Sequence, residues 1–352
     1  HRAAEKAQRE RAMAQVNGLL SASPAAVPVI IDNLRPVYDD LIPELRRLVE
    51  SSELKESQRM RVSLALLDPD AKQVDYLTQR MLESDAEEFL LIRKYLQPHS
   101  RDLLPDLWQS ARDLDGDAAQ GFRAACALAM YDNQNSAWNQ ISDKVAQFLV
   151  SENSLTVAHW MEALRPAHSF LIQPLSKVYL ERSEEQTAQR ILATNILADY
   201  AADQTDALLR LLVAADAQQF AVLFPVVSKQ PELAAARLEA MVDPTVHVAE
   251  PGEAERVKAS QRANAAVALL RLGQWQSVRP LLGGDADPQT RAYLIHRLRS
   301  RGVSMETLAF LVDEERDRLV RQALILSVGE FPLSAVSAEE RETPEKLLQQ
   351  LY

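Results

Sequence analysis

The stretch SPAAVPVIIDNLRPVYDDLIPELRRLVESS, residues 23–52, decides how the rest of the chain is read. It carries Pro24, Pro28, Pro36 and Pro43, yet the residues around them are the Ala, Leu, Glu and Arg of good helix formers. Proline removes a backbone N–H and clashes with the preceding turn, so it ends helices. Its recurrence where helices are wanted is explained by repetition. The segments IIDNLRPVYDDLIPELRRLVE (30–50), LIRKYLQPHSRDLLPDLWQSA (91–111), WMEALRPAHSFLIQPLSKVYL (160–180) and FAVLFPVVSKQPELAAARLEA (220–240) share one design. In each, a short apolar helix closes near a first proline: Pro36, Pro98, Pro166 and Pro225. A second proline follows six to eight residues later: Pro43, Pro105, Pro174 and Pro231. The first is expected to stop one helix, and the second to sit in the first turn of the next, where no N–H is required. The pairs therefore read as hinges between antiparallel helices, 62, 68 and 59 residues apart.

Between the proline pairs lies a second kind of unit, an Ala/Leu-rich helix headed by an arginine. It recurs in RVSLALLD (Arg61), RAACALAMYD (Arg123), RILATNILADY (Arg190) and RANAAVALLRLG (Arg262), then at shorter intervals at Arg291 and Arg321. Counting three and four residues on gives Cys126/Ala127, Ala193/Thr194, Ala265/Ala266, Leu294/Ile295 and Leu324/Ile325. Seven residues on come Met130, Leu197, Leu269, Leu298 and Val328, so each helix carries one apolar stripe of helical period. A single hairpin of about thirty residues cannot bury such a stripe, but stacked neighbours can. The expectation is an all-α chain: residues 1–22 a charged N-terminal helix or stalk, 23–242 alternating proline-paired and arginine-headed hairpins, 243–260 a loop insertion with an extra charged turn or two, and 261–352 plain hairpins.

Composition narrows the function. With 39 Lys and Arg against 50 Asp and Glu, the net charge of −11 argues against a general binder of nucleic-acid phosphates. Cys126 is the single cysteine, which excludes an intrachain disulfide and any cysteine-built zinc site; its apolar surroundings make it a small core residue. The six histidines (His1, His99, His159, His168, His247 and His296) have no metal-type spacing. DLDGD (113–117) lacks the length and terminal Glu of a calcium loop and reads as a turn with Asp117 as an N-cap. LLGGD (281–285) follows no strand and reads as a helix C-cap and turn. The apolar runs are too short to span a bilayer. No catalytic residue, cofactor or metal is expected. The charged opening and an end inside the helical pattern of TPEKLLQQLY read as the limits of a piece of something longer.

The pattern DPQTRAYLIHRL (Asp287, Pro288, Arg291, Ala292, Leu298), echoed in DRLVRQALILSVGEF (Asp317, Val320, Arg321, Leu324, Val328), resembles HEAT repeats. That resemblance implies a right-handed α-solenoid, here of about eleven antiparallel helical hairpins, in which a turn Asp and an inner-helix Arg hydrogen-bond along the stack. More finely, RANAAVALLRLG, ATNILADYAAD, QFAVLFP and PQTRAYLIHRL look like the helical region of large bacterial multidomain proteins. Those join a serine/threonine kinase domain to a domain like formylglycine-generating enzymes. The resemblance covers most of 30–331. It implies a non-catalytic middle region, with the charged opening as the stalk leaving a membrane segment outside this chain. Neither a kinase Gly-rich loop nor its HRD and DFG motifs occur in the sequence.

Two functional readings follow, both for a monomer. In the first, the chain is an interaction scaffold whose concave inner-helix surface takes a peptide or a flanking domain of the same polypeptide, through residues such as Asn195, Tyr200, Asn264 and His296. Trp138 and Trp275 occupy corresponding places just after an arginine helix and read as exposed anchors or, preferably, plugs between units. The run RAYLIHRLRSRG offers Arg297, Arg299 and Arg301 as a local positive patch for an acidic segment or phosphate, against the simpler role of cations at a helix C-terminus. In the second reading, the chain is a rigid spacer or regulatory region of a larger enzyme.

Overall fold

A computed structural model describes residues 13–114, 116–243 and 252–331; among these every regular element is helical. The opening charges at 1–12 with His1, the end with EERETPEK (339–346) and TPEKLLQQLY, Asp115, and the 244–251 part of the expected loop with His247 lie outside the described residues. The chain divides into two compact units at Pro174.

The first unit holds α1 (13–21), α2 (Val27–Leu34), α3 (Tyr38–Glu50), α4 (Glu56–Leu66), α5 (Lys72–Glu83), α6 (Ala86–Leu96), α7 (Ser100–Arg112), α8 (Ala118–Tyr131), α9 (Trp138–Ser151), α10 (Val157–Leu164) and the start of α11 (His168–Leu180). Pro36, Pro98 and Pro166 each occupy the second position of a single 3-10 turn, Arg35–Val37, Gln97–His99 and Arg165–Ala167. These stop helices, as expected. The second prolines do not start helices: Pro43, Pro105 and Pro174 lie inside α3, α7 and α11. The physical reason is that the next helix begins two residues after the first proline, so its second turn has already formed when the second proline arrives. Pro43 and Pro105 are exposed, so the carbonyl each leaves unpaired meets water. A proline pair also does not mark the turn of a hairpin. α2 and α3 meet through the turn that joins them, as do α6 and α7, whereas packing runs α3 on α4, α5 on α6 and α7 on α8.

The arginine helices bury more than the expected stripe: residues 62–66 of α4 and 124–129 of α8 are buried without a break, so both helices are enclosed on nearly all sides. Leu64, Ala65, Cys126 and Ala127 are buried, and Met130 is half-buried. The arginines themselves do one recurring job: Arg61 Nη1 donates to Leu20 O at 2.7 Å and Arg123 Nε to Ser84 O at 2.8 Å. Each acceptor sits at the end of an earlier helix, where carbonyls lack intrahelical partners.

The second unit contains α12 (Thr187–Tyr200), α13 (Thr205–Ala214), α14 (Ala217–Val227), α15 (Pro231–Val242), α16 (Glu253–Arg271), α17 (Trp275–Val278), α18 (Pro288–Arg297), α19 (Met305–Glu314) and α20 (Arg318–Gly329). Here Pro231 does open a helix, while Pro225 lies near the end of α14 and does not stop it. The charged residues from Glu253 to Ser260, expected within a loop insertion, form the first turns of α16. Arg190 Nη1 donates to Glu181 O at 3.2 Å, and Arg291 reaches Leu282 O (3.0 Å) and Leu319 O (3.2 Å). Asp287 and Asp317 cap their own helices, α18 and α20, by accepting from backbone N–H groups of the first turn. Burial would raise the Asp287 carboxyl, but hydrogen bonds from Thr290 and Gln289 and the nearby Arg262 charge hold it below its ordinary value. Gly302, at φ +82, supplies the left-handed cap that lets Arg271 pass 3.1 Å from its missing Cβ to reach Arg301 O.

Candidate functional site: an open seam between proline corners

Aligning the proline corners on Pro36, Pro98 and Pro166, and the arginine helices on Arg61 and Arg123, sets two equivalent seams side by side in the first unit. The first lies between the Pro36 and Pro98 corners and is a cleft of about 740 Å³. Buried Ile31, Leu64 and Ala65 form its floor. Pro28, Ile42, Pro69 and Pro98 make stiff, largely apolar walls. Tyr38, on the first turn of α3, and Tyr95, near the end of α6, are half-buried on its sides. Around the rim stand exposed Asp32, Arg35, Asp39, Asp68 and Lys94.

The electrostatics of the cleft are set by its carboxylates. Asp32 and Arg35 pair at 3.1 Å in solvent. Asp39 and Asp68 have no ion-pair partner among the described residues. The Tyr38 hydroxyl is pushed up to about 12, first by burial and then by Asp68, with Arg35 opposing. Burial also raises Tyr95, helped by Asp32 and Asp68 against Arg35. Neither hydroxyl has a hydrogen-bond partner among the described residues.

The second seam, between the Pro98 and Pro166 corners, is closed by different side chains at the same positions. Where the first seam has Ile31, the second has Arg93, which is buried and donates to Cys126 O at 2.9 Å and Ala163 O at 2.6 Å. Burial lowers the Arg93 pKa. Where the first has Pro69, the second has Tyr131, whose hydroxyl donates to Arg93 O at 2.6 Å. The buried trio Val27, Met60 and Ile92 becomes Phe89, Phe122 and Trp160, with ring centroids 5.3 and 5.4 Å from Trp160. α8 accordingly packs on α10 and its 3-10 turn, and α6 on α10, and neither α4 nor α2 packs as extensively on α6.

The residues proposed from sequence as a partner surface behave differently. Tyr200, Asn264 and Arg301 are buried, which corrects their assignment to a surface. Asn264 Nδ2 donates to Val213 O and Ala215 O, both at 2.9 Å, and Arg301 Nη2 to Ala215 O at 3.2 Å. They fasten α16 and the turn after α18 to the end of α13. Burial, then Arg297, pulls the Arg301 pKa down to about 10. Arg297 is turned inward as well, to Ser260 O (2.7 Å) and Asn264 Oδ1 (3.1 Å). The expected patch of free arginines is therefore a bonded network. Of the basic side chains in that run only Arg299 and His296 are exposed, and both are tied to Glu330: Arg299 to its carbonyl at 2.6 Å, His296 Nδ1 to its carboxylate at 2.7 Å. Asn195 is exposed and Trp275 half-buried. Trp138 is fully buried, stacked with Phe170 and edge-on to Trp108, with its N–H on Asp132 O at 3.1 Å.

Cys126 is buried, and burial raises its thiol pKa. Asp117 caps α8 through Gln120 N. Among the described residues, no cluster of three His, Cys, Asp or Glu side chains could hold a metal ion, and no helix is long and apolar enough to cross a membrane. Sequence reading missed Tyr38, Tyr95 and Asp68. The signal was present as a difference between aligned repeats: Ile31 against Arg93, and Pro69 against Tyr131. Comparison of the chain with protein-family models, curated proteins and solved structures found no match.

Proposed function

We propose that this chain is a non-catalytic protein-interaction scaffold, a right-handed α-solenoid of HEAT-like hairpins that binds a peptide or a neighbouring domain of the same polypeptide. The observation supporting this reading is the first seam, which stays open where the equivalent seam is filled. A cleft with rigid proline walls, an apolar floor and a few polar side chains suits an extended peptide segment. Its stiffness reduces the ordering cost of binding.

The test transplants the closed seam into the open one. A displayed peptide library is selected on the whole chain, and each selected peptide is then measured against Ile31→Arg/Pro69→Tyr by fluorescence anisotropy. Peptides should bind the natural chain and lose at least about tenfold in affinity on the closed variant, corresponding to roughly 1.4 kcal/mol. Circular dichroism checks that the variant folds. Asp68→Trp, which changes an exposed rim position only, blocks the mouth independently. Equal binding to the natural chain and both variants would overturn the reading.

A second reading has its own support. Buried cross-links such as Arg93 to two carbonyls, and Asn264 to two more, stiffen each unit, as a spacer in a larger kinase- or formylglycine-generating-type enzyme would need. In that case closing the cleft leaves the parent's activity unchanged, and removing whole repeats alters it.

A further inference from the structure

We propose that the first-seam cleft recognises a cationic side chain, Arg or Lys, of an extended segment, seated between Tyr38 and Tyr95 with its charge toward Asp68. This rests on the scaffold reading above and adds the chemistry of the occupant. Three observations carry it. First, the rim charge is unbalanced: Asp32 and Arg35 satisfy each other at 3.1 Å, which leaves Asp39 and Asp68 against the single Lys94. Second, two tyrosines line one cleft with hydroxyls that have no hydrogen-bond partner among the described residues, and tyrosine faces attract cations. A phenol oxygen can also accept a hydrogen bond from a guanidinium or ammonium. The field at both hydroxyls is net negative, with two acidic neighbours of Tyr95 and Asp68 beside Tyr38 raising them against Arg35 alone.

The third observation is internal. In the neighbouring seam the chain places its own guanidinium, that of Arg93, at the position where the first seam has Ile31. Its Cζ lies 5.6 Å from the Phe89 ring centre. The same framework therefore already accommodates a guanidinium at the place of Ile31; its aromatic neighbour there, Phe89, is Val27 in the first seam, where Tyr38 and Tyr95 supply the rings instead. An acidic or phosphorylated segment would meet Asp39 and Asp68 instead and is disfavoured.

The test uses four capped heptapeptides, Gly-Ala-Ala-X-Ala-Ala-Gly, with X as Arg, Lys, citrulline or norleucine. The whole chain carries ring-labelled tyrosine, and NMR titrations follow signals assigned with Tyr38→Phe and Tyr95→Phe. The Arg and Lys peptides should shift both tyrosines, and Asp68→Asn should weaken that binding about three- to tenfold. Added salt should weaken it further. Equal shifts from citrulline or norleucine, or none from Arg and Lys, would overturn the cation inference. If the library peptides still distinguish the natural chain from the closed variant, the scaffold reading stands without it. If they do not, the scaffold reading itself fails.

Discussion

The two seams of the first unit are built on the same proline and arginine frame, yet one is solid and the other hollow. The solid seam holds Phe89, Phe122 and Trp160 around a buried guanidinium; the hollow one holds Val27, Met60, Ile92 and Ile31 at the matching places. All of these side chains are buried, and all but Ile31, Trp160 and Arg93 are essentially inaccessible to water, so the difference lies in how much volume is supplied. The frame sets where helices turn; residue volume then decides whether adjacent corners close on each other. A repeat array can thus acquire a binding cleft by losing bulk, with no change of backbone plan.

The comparison breaks most visibly at Trp160. Replacing it with Ala should cost about 3–5 kcal/mol, because an indole shared by two phenyl rings leaves a large cavity. Ile92→Ala, its counterpart at the first seam, removes three carbons and should cost less, toward the lower end of about 2–5 kcal/mol. Urea unfolding followed by circular dichroism at matched concentrations checks the order. If the two cost the same, volume does not distinguish the seams.

Arg93→Met comes next and weighs two opposed effects. Losing the guanidinium removes a charged donor from Cys126 O and Ala163 O, and a hydrogen bond to a charged group is worth about 1.5–3 kcal/mol. Removing a buried cation relieves its desolvation, which runs the other way. A net loss of about 1–3 kcal/mol is expected. A gain in stability would show that the guanidinium serves specificity of packing alone. Tyr131→Phe should cost about 0.5–1.5 kcal/mol, the value of the hydrogen bond to Arg93 O.

How far the sequence could be read follows from the same residues. Helix was legible because Arg61, Arg123 and Arg190 each head an Ala/Leu-rich run of helix formers; burial keeps to a stripe on the Arg190 helix and surrounds the Arg61 and Arg123 helices on nearly all sides. Pro36, Pro98 and Pro166 announced the corners. Pro43 and Pro105 misled because a proline tolerated on an exposed second turn looks the same in sequence as one that opens a helix. The expected surface failed at Asn264 and Arg301 because polarity was read as exposure. Both are polar groups that serve backbone carbonyls in the interior, and spacing alone cannot say which face of a helix its neighbours cover. The cleft itself was hidden because it is made by what Ile31 and Pro69 lack, and an absence becomes visible only when repeats are compared position by position.

The smallest effect concerns the tyrosines and sharpens the contrast in solvation. Tyr38 beside the open cleft is raised to about 12; Tyr131 in the closed seam is raised chiefly by burial, with Arg93 pulling the other way. A tyrosine in the unfolded chain ionises near pH 10. A phenol raised in the folded state keeps its proton there longer, so its contribution is complete below about pH 10 and is lost as pH climbs through the folded value. Tyr38→Phe should therefore flatten the fall in unfolding free energy between pH 10 and about 12, only slightly because the ring is half in water. Tyr131→Phe should flatten it as well, but from a starting stability already reduced at neutral pH. Urea midpoints taken across that range, with phenolate absorbance at 295 nm, separate the two. A Tyr38→Phe profile parallel to that of the natural chain would mean that the ring is fully solvated and that Asp68 does not act on it, leaving the cleft without the negative field a bound cation requires.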